Sequence, residues 1–227
     1  MRKIDNNAEV IIETDNLVTT QLACSDAMIN KDMIAVIGPA GSGKTTGFKD
    51  FQKKHPEHVF IVNARKSMSA RQFYSSIANS IADESYDSHI PLFFCINKAA
   101  NVFIEDSSNK LLIIDEAGKF SPQMLEYLHE FRDLTKETTG IILGGVDYFQ
   151  KHLVQWNEKN KQGMPEVYSR ISSWHQLSKP LYQEVIAIIQ AHGIKDAVFE
   201  RSCKGIENFR ILKNKIGLYK KLPDTEK

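Results

Sequence analysis

The sequence has little cysteine, no apolar run of membrane length and no excess of charge of either sign. Its three cysteines, Cys24, Cys95 and Cys203, lie far apart, so they supply neither a CxxC metal or redox pair nor a disulfide framework. They read as reduced packing thiols. A bilayer span needs about 20 consecutive apolar residues, and no run approaches that length. The opening segment, MRKIDNNAEVIIETDN, is charged and lacks the apolar stretch and small-residue cleavage site of a secretory signal, so a cytoplasmic protein is expected. Lysine and arginine number 29 against 28 acids, a formal net charge of +1. No global field therefore marks a nucleic-acid binder, although a balanced total leaves room for a local basic stripe. His55 and His58 form an HxxH within KKHPEH, where proline and polarity argue for an exposed loop rather than a metal pair.

What is present is an ordinary globular composition, 42% hydrophobic and 25% charged over 227 residues, enough for one sizeable domain with a small appendage. Four short, continuous apolar runs read as strands buried on both faces: 33 to 38, 59 to 64, 111 to 115 and 140 to 145. Between them, 43 to 54, 69 to 84 and 121 to 134 carry helical spacing; Phe73, Ile77 and Ile81 recur every four residues, and Ser69 suits an N-cap. Alternating strands and helices predict a doubly wound parallel α/β sheet. Beyond residue 176 the strand pattern stops. LYQEVIAIIQAHGI and IENFRILKNKIGLYKK read as two helices around a polar connection, followed by a loose end, LPDTEK.

The segment Gly38-Pro39-Ala40-Gly41-Ser42-Gly43-Lys44-Thr45 fits GxxxxGK[ST] and sits straight after a buried strand, opening a helix. Its glycines let successive amides turn inward around phosphate oxygens, and the helix N-terminus adds partial positive charge. Lys44 is placed for the β- and γ-phosphates and Thr45 for Mg²⁺, with Thr46 completing the cofactor-binding stretch. About 70 residues downstream, Leu111-Leu112-Ile113-Ile114-Asp115-Glu116 is an apolar strand ending in two acids. That pairing suits a cation: Asp115 would hold Mg²⁺ and Glu116 would polarise the attacking water. Asp115-Glu116-Ala117-Gly118 also fits the DxxG of GTPases, but Asn97-Lys98 precedes it and position 100 is alanine. Guanine specificity lacks its carboxylate, and ATP is the expected nucleotide. The expected division is an α/β nucleotide-binding core over 1–175 and a small helical lid over 176–227.

These two motifs, with the strand GIILGG, the segment Tyr168-Ser169-Arg170-Ile171 and Asn208-Phe209-Arg210, resemble the AAA+ ATPases in order and spacing over residues 15 to 218. Within them the chain looks most like the DNA-transposition ATPases, represented by the B protein of phage Mu, and the related general-secretion ATPases. The resemblance implies that Arg170 is an arginine finger acting on a neighbouring subunit, and that Arg210 is the sensor 2 arginine of the lid. It implies a homo-oligomer, ring or helical filament, that assembles on double-stranded DNA with ATP, regulates target selection and activates a transposase. Arg65, Lys66 and Arg71 are the candidate DNA contacts, and the lysines 213, 215, 220 and 221 are either a second patch or the polar face of a helix. One departure stands out: the fourth strand ends Leu143-Gly144-Gly145-Val146, where a polar sensor 1 residue is usual, and Asp147 is the first polar group, so either Asp147 takes that role or the role is absent. Slow, switch-like hydrolysis is therefore expected. With about 37 residues ahead of the P-loop, no room is expected for the helix-turn-helix domain of the phage Mu protein. A secretion-associated or other protein-remodelling ATPase is the alternative. A small-molecule kinase ranks below both, because the lid offers mainly Arg201 and Arg210 near the phosphates.

Overall fold

The computed structural model describes residues 11–79, 90–105 and 108–223. Helix α1 (Asp15–Asn30) leads into strand β1 (Met33–Ile37), then α2 (Lys44–Lys54), β2 (Val59–Asn63), α3 (Ala70–Asn79), α4 (Leu92–Ile104) and β3 (Lys110–Asp115). A 3₁₀ turn at Ala117–Lys119 precedes α5 (Pro122–Thr135), β4 (Thr139–Gly145), α6 (Asp147–Glu158), α7 (Met164–Ser169) and β5 (Ile171–Gln176). Helices α8 (Tyr182–Ala191), α9 (Ala197–Ser202) and α10 (Phe209–Lys221) complete the chain. The five strands form one parallel sheet in the order β2-β3-β4-β1-β5.

The doubly wound α/β fold expected from the sequence is the fold observed. β1, β3 and β4 are buried throughout, as their continuous apolar runs require. Alternate residues feed two cores. Ile34, Val36, Leu111, Ile113 and Ile142 meet Ala23, Cys24, Phe48 and Phe51 of α1 and α2. Met33, Ala35, Ile37, Leu112, Ile114 and Leu143 meet Phe73, Ile96, Leu125, Leu128, Leu153 and Val167 on the opposite face. The third helix starts on a reciprocal cap, in which Ser69 Oγ accepts from the Gln72 amide at 3.2 Å and Gln72 Oε1 accepts from the Ser69 amide at 3.0 Å. Its expected continuation through Ile81 lies outside the described residues. Helices α8 to α10 enclose a separate small core of Val185, Ile189, Ile194, Cys203, Leu212 and Ile216. Among the described residues no helix is long and apolar enough to cross a membrane.

Helices α4, α6 and α7 are not among the elements read from the sequence, and three further elements differ from that reading for clear reasons. β5, ISSWHQ, pairs only with β1 and is half exposed; an edge strand needs no continuous apolar run, so its pattern is weak. The polar connection after α8 folds into α9, whose N-cap Asp196 accepts from the Val198 amide at 2.8 Å. Helix α1 packs through small and polar side chains, Asn16, Thr20, Ala23, Cys24 and Ala27, and so shows no bulky apolar period. The close approach is visible at Gly140, where a Cβ would lie 2.0 Å from the Ala27 carbonyl oxygen.

Candidate functional site

Parallel strands direct their C-terminal ends to one edge of the sheet, and ligands bind there in α/β folds. The P-loop leaves β1 at this edge. Gly41 and Gly43 adopt φ of 79° and 96°, a conformation that side chains oppose and glycine tolerates. Gly43 is the N-cap of α2 and offers no side-chain cap, so the first amides of that helix remain available to an anion. Lys44 is buried beneath the loop, and its Nζ donates to Gly38 O at 2.7 Å, Pro39 O at 3.1 Å and Ser42 Oγ at 3.2 Å. Burial lowers its pKa most; the charges of Asp115, Glu116 and Asp147 oppose that shift, and Arg210 adds to it. Four charged groups from three segments, the tip of β3, the start of α6 and the start of α10, thus act on one ammonium group.

Asp115 ends β3 almost wholly buried. Its Oδ2 accepts from Thr45 Oγ1 at 2.6 Å, and its Oδ1 accepts from the Glu116 amide at 2.9 Å. Glu116 takes a left-handed conformation, φ 61°, with its side chain exposed beside the buried aspartate. Among the described residues no group of three or more His, Cys, Asp or Glu could hold a metal. The hard-oxygen pair Thr45 and Asp115, 2.6 Å apart, suits Mg²⁺, which commonly uses one or two protein oxygens and completes its shell with phosphates and water.

The start of α10 contacts the P-loop. The Phe209 amide donates to Gly41 O at 2.9 Å, and the Phe209 ring would be 3.6 Å from a Cβ at Gly43. Asn208 caps α10 through Oδ1 to the Ile211 amide at 2.9 Å, and a Cβ at Gly41 would lie 2.9 Å from that same oxygen. Arg210 follows directly and is exposed. A second tie escaped sequence reasoning. Buried Asn16 donates through Nδ2 to Ser42 O at 3.0 Å and Ser178 O at 2.8 Å, and its Oδ1 accepts from the Ser178 amide at 3.0 Å. Asn208 carries a readable signal, an asparagine ahead of an apolar helical run; Asn16 carries none.

The end of β4 explains the missing polar residue. A Cβ at Gly144 would lie 2.7 Å from the Phe48 ring and 3.2 Å from Asp115 Oδ1, and one at Gly145 would lie 2.7 Å from the Phe149 ring. Neither position accepts a side chain without displacing an aromatic ring. Asp147 opens α6 beyond them, and its Oδ1 accepts from Gln176 Nε2 at 2.9 Å.

The remaining candidates divide between the P-loop itself and positions apart from it. Pro39, Ala40, Ser42 and Thr46 belong to the loop and first helical turn. Arg65 and Lys66 follow β2 on the same sheet edge but across two intervening strands from β1, and Arg71 lies in the first turn of α3; all three are exposed. Arg170 precedes β5 at the opposite edge. Met33 pairs with Ile171 and Ile37 with Gln176, so Arg170 is a strand length, about 20 Å, from its own P-loop.

A model of the AAA domain family matches residues 28–153, which span both β1 with its P-loop and β3 with its acids. The chain belongs to this family. Comparison with curated protein sequences yields no match. Among solved structures, this AAA domain protein is similar to a Walker-type ATPase of Pyrococcus abyssi at TM-score 0.68 and 10% identity, covering 97% of this chain and 71% of that one. It is also similar to the Aeropyrum pernix ORC2 protein in its ADP form, at TM-score 0.62 and 18% identity, covering 94% and 64%. The A. pernix ORC1 protein in complex with DNA gives TM-score 0.60 at 12% identity, covering 79% of this chain and 49% of that one. The AAA domain protein thus spans about half the length of the ORC1 chain it resembles. At these identities the likeness concerns the fold.

Proposed function

We propose that this AAA domain protein is a Mg²⁺-dependent ATPase that assembles on double-stranded DNA in its ATP-bound form and regulates transposition by recruiting or activating a transposase. The observation that carries the ATPase reading is the convergence of Thr45, Asp115 and Glu116 around the P-loop lysine, with Arg210 brought in by the lid. In this reading the loop amides and Lys44 bind the phosphates, while Thr45 and Asp115 hold Mg²⁺. When bound, the metal offsets charge that builds on the phosphate oxygens. Glu116, exposed beside the buried aspartate, orients and polarises the attacking water. Arg210 reports the state of the phosphates to the lid. Arg170, too far from its own P-loop to act there, reaches the nucleotide of a neighbouring subunit, so hydrolysis requires assembly. With glycine at both final positions of β4, a polar sensor is missing and turnover is slow. Arg65, Lys66 and Arg71 supply phosphate contacts to DNA, and the fold they decorate is one that the A. pernix ORC1 protein presents in a complex with DNA.

Glu116→Gln tests the assignment. ATP binding, read by nucleotide-induced thermal shift, is expected to persist, while hydrolysis falls by about a hundredfold or more and the ATP-dependent assembly outlasts that of the wild type. Unchanged turnover would remove Glu116 from the chemistry.

A further inference from the structure

Arg170 is fixed within its own subunit by one specific partner. It closes α7, with its amide donating to Val167 O at 3.2 Å. Its Nε donates to Asp133 Oδ1 at 3.1 Å and its Nη2 to Asp133 Oδ2 at 3.3 Å. A guanidinium carries five N–H donors. This side-on pairing uses one edge, so three donors, two on Nη1 and one on Nη2, remain for a partner outside. Asp133 is itself backed by His129 one turn earlier on α5, whose Nε2 lies 3.6 Å from Oδ2. Slight burial of the Asp133 carboxyl raises its pKa, but the Arg170 hydrogen bond and the charges of His129, Arg170 and Lys136 outweigh that and hold it below the usual aspartate range.

We propose that Asp133 is a positioning residue for Arg170, gripping the guanidinium by one edge so that the other edge is presented to phosphates bound by a neighbouring subunit. The inference rests on the reading of Arg170 as a residue acting across a subunit boundary. An unheld arginine samples many rotamers that must be frozen when phosphate is engaged; the bidentate grip removes that search beforehand. The pair is also half open to solvent, with side-chain exposures of 46% and 42%. Water screens its charges, so Asp133 orients Arg170 more than it neutralises it. Asp133 lies 37 positions from Arg170 in sequence, on a different helix, and carries no motif of its own.

The test is steady-state ATP hydrolysis by the full chain at concentrations that support assembly, for Asp133→Ala, Asp133→Asn, Asp133→Glu, Arg170→Ala and the double variant Asp133→Ala/Arg170→Ala. Asp133→Ala is expected to lower kcat by about ten- to a hundredfold, as misplacement of a reacting group does, with KM for ATP and the nucleotide-induced thermal shift unchanged. Asp133→Glu should recover most of the rate, Asp133→Asn should fall between, and the aspartate change should cost nothing further once Arg170 is absent. Mixing Arg170→Ala with Lys44→Ala protein separates the two claims. Rescue on mixing supports action across the boundary; if Asp133→Ala then hydrolyses at the wild-type rate, or its loss adds in full to that of Arg170→Ala, the positioning role falls alone. If Arg170→Ala keeps wild-type turnover, or mixing gives no rescue, the reading of Arg170 falls and the role of Asp133 with it.

Discussion

Two residues at the site illustrate function set against stability. Lys44 is buried under its own loop, and desolvation is the largest influence on its charge. Its pKa is lower folded than unfolded, so the charged form opposes folding: that penalty is fully present below the folded pKa and relieved as pH rises through it. Lys44→Met is therefore expected to raise the melting temperature of the nucleotide-free protein by a few degrees, while abolishing the thermal shift produced by ATP. A lower melting temperature would show that the three hydrogen bonds from Nζ outweigh the desolvation. Glu116 makes the second case, because a left-handed backbone costs an L side chain about 1–2 kcal/mol. Glu116→Gly should be more stable than Glu116→Ala by about 1 kcal/mol in chemical denaturation, and both should lose hydrolysis. Equal stabilities would mean that the left-handed turn relaxes when the carboxylate is removed.

At the scale of elements, the close fit of α1 against β4 dictates residues that look featureless in the sequence. Gly140 and the small side chains at 20, 23 and 27 are there because helix and strand backbones nearly touch. Gly140→Ala is expected to destabilise the protein by about 3 kcal/mol or more, at or above the upper end of ordinary overpacking, because the added carbon meets backbone rather than a flexible side-chain tip. Chemical denaturation reads this directly, and a loss under 1 kcal/mol would show that α1 can slide. The same crowding governs β4 at its other end, where Phe48 and Phe149 occupy the space a sensor side chain would need. Helix packing here decides that the end of β4 carries glycine.

For the whole molecule, the proposed function predicts coupling of nucleotide, assembly and DNA. Sedimentation with and without double-stranded DNA, in ATP, ADP or a slowly hydrolysed analogue, is expected to give large complexes only when ATP or the analogue is present together with DNA. Raising salt should dissolve them steeply, as counterion release requires, and charge reversal at Lys66 and Arg71 should flatten that dependence. Assembly driven by ATP alone, indifferent to DNA, would point instead to a protein partner.

The two halves of the candidate site were legible in the sequence because each is contiguous: one loop from Gly38 to Thr45 and one strand tip at Asp115 and Glu116, which the fold brings together through the Thr45–Asp115 hydrogen bond. The buried strands β1, β3 and β4 were legible for a similar reason, since burial on both faces writes an unbroken apolar run. What only the tertiary structure decided spans long separations. Asn208 and Phe209 reach Gly41, Asn16 ties Ser42 to Ser178, and Asp133 grips Arg170. Each joins residues on different elements through polar contacts that impose no period on the chain. The sequence determined where the P-loop and the acidic strand tip lie; the folding of α1, α5 and the helices α8 to α10 around the sheet decided what holds them in place.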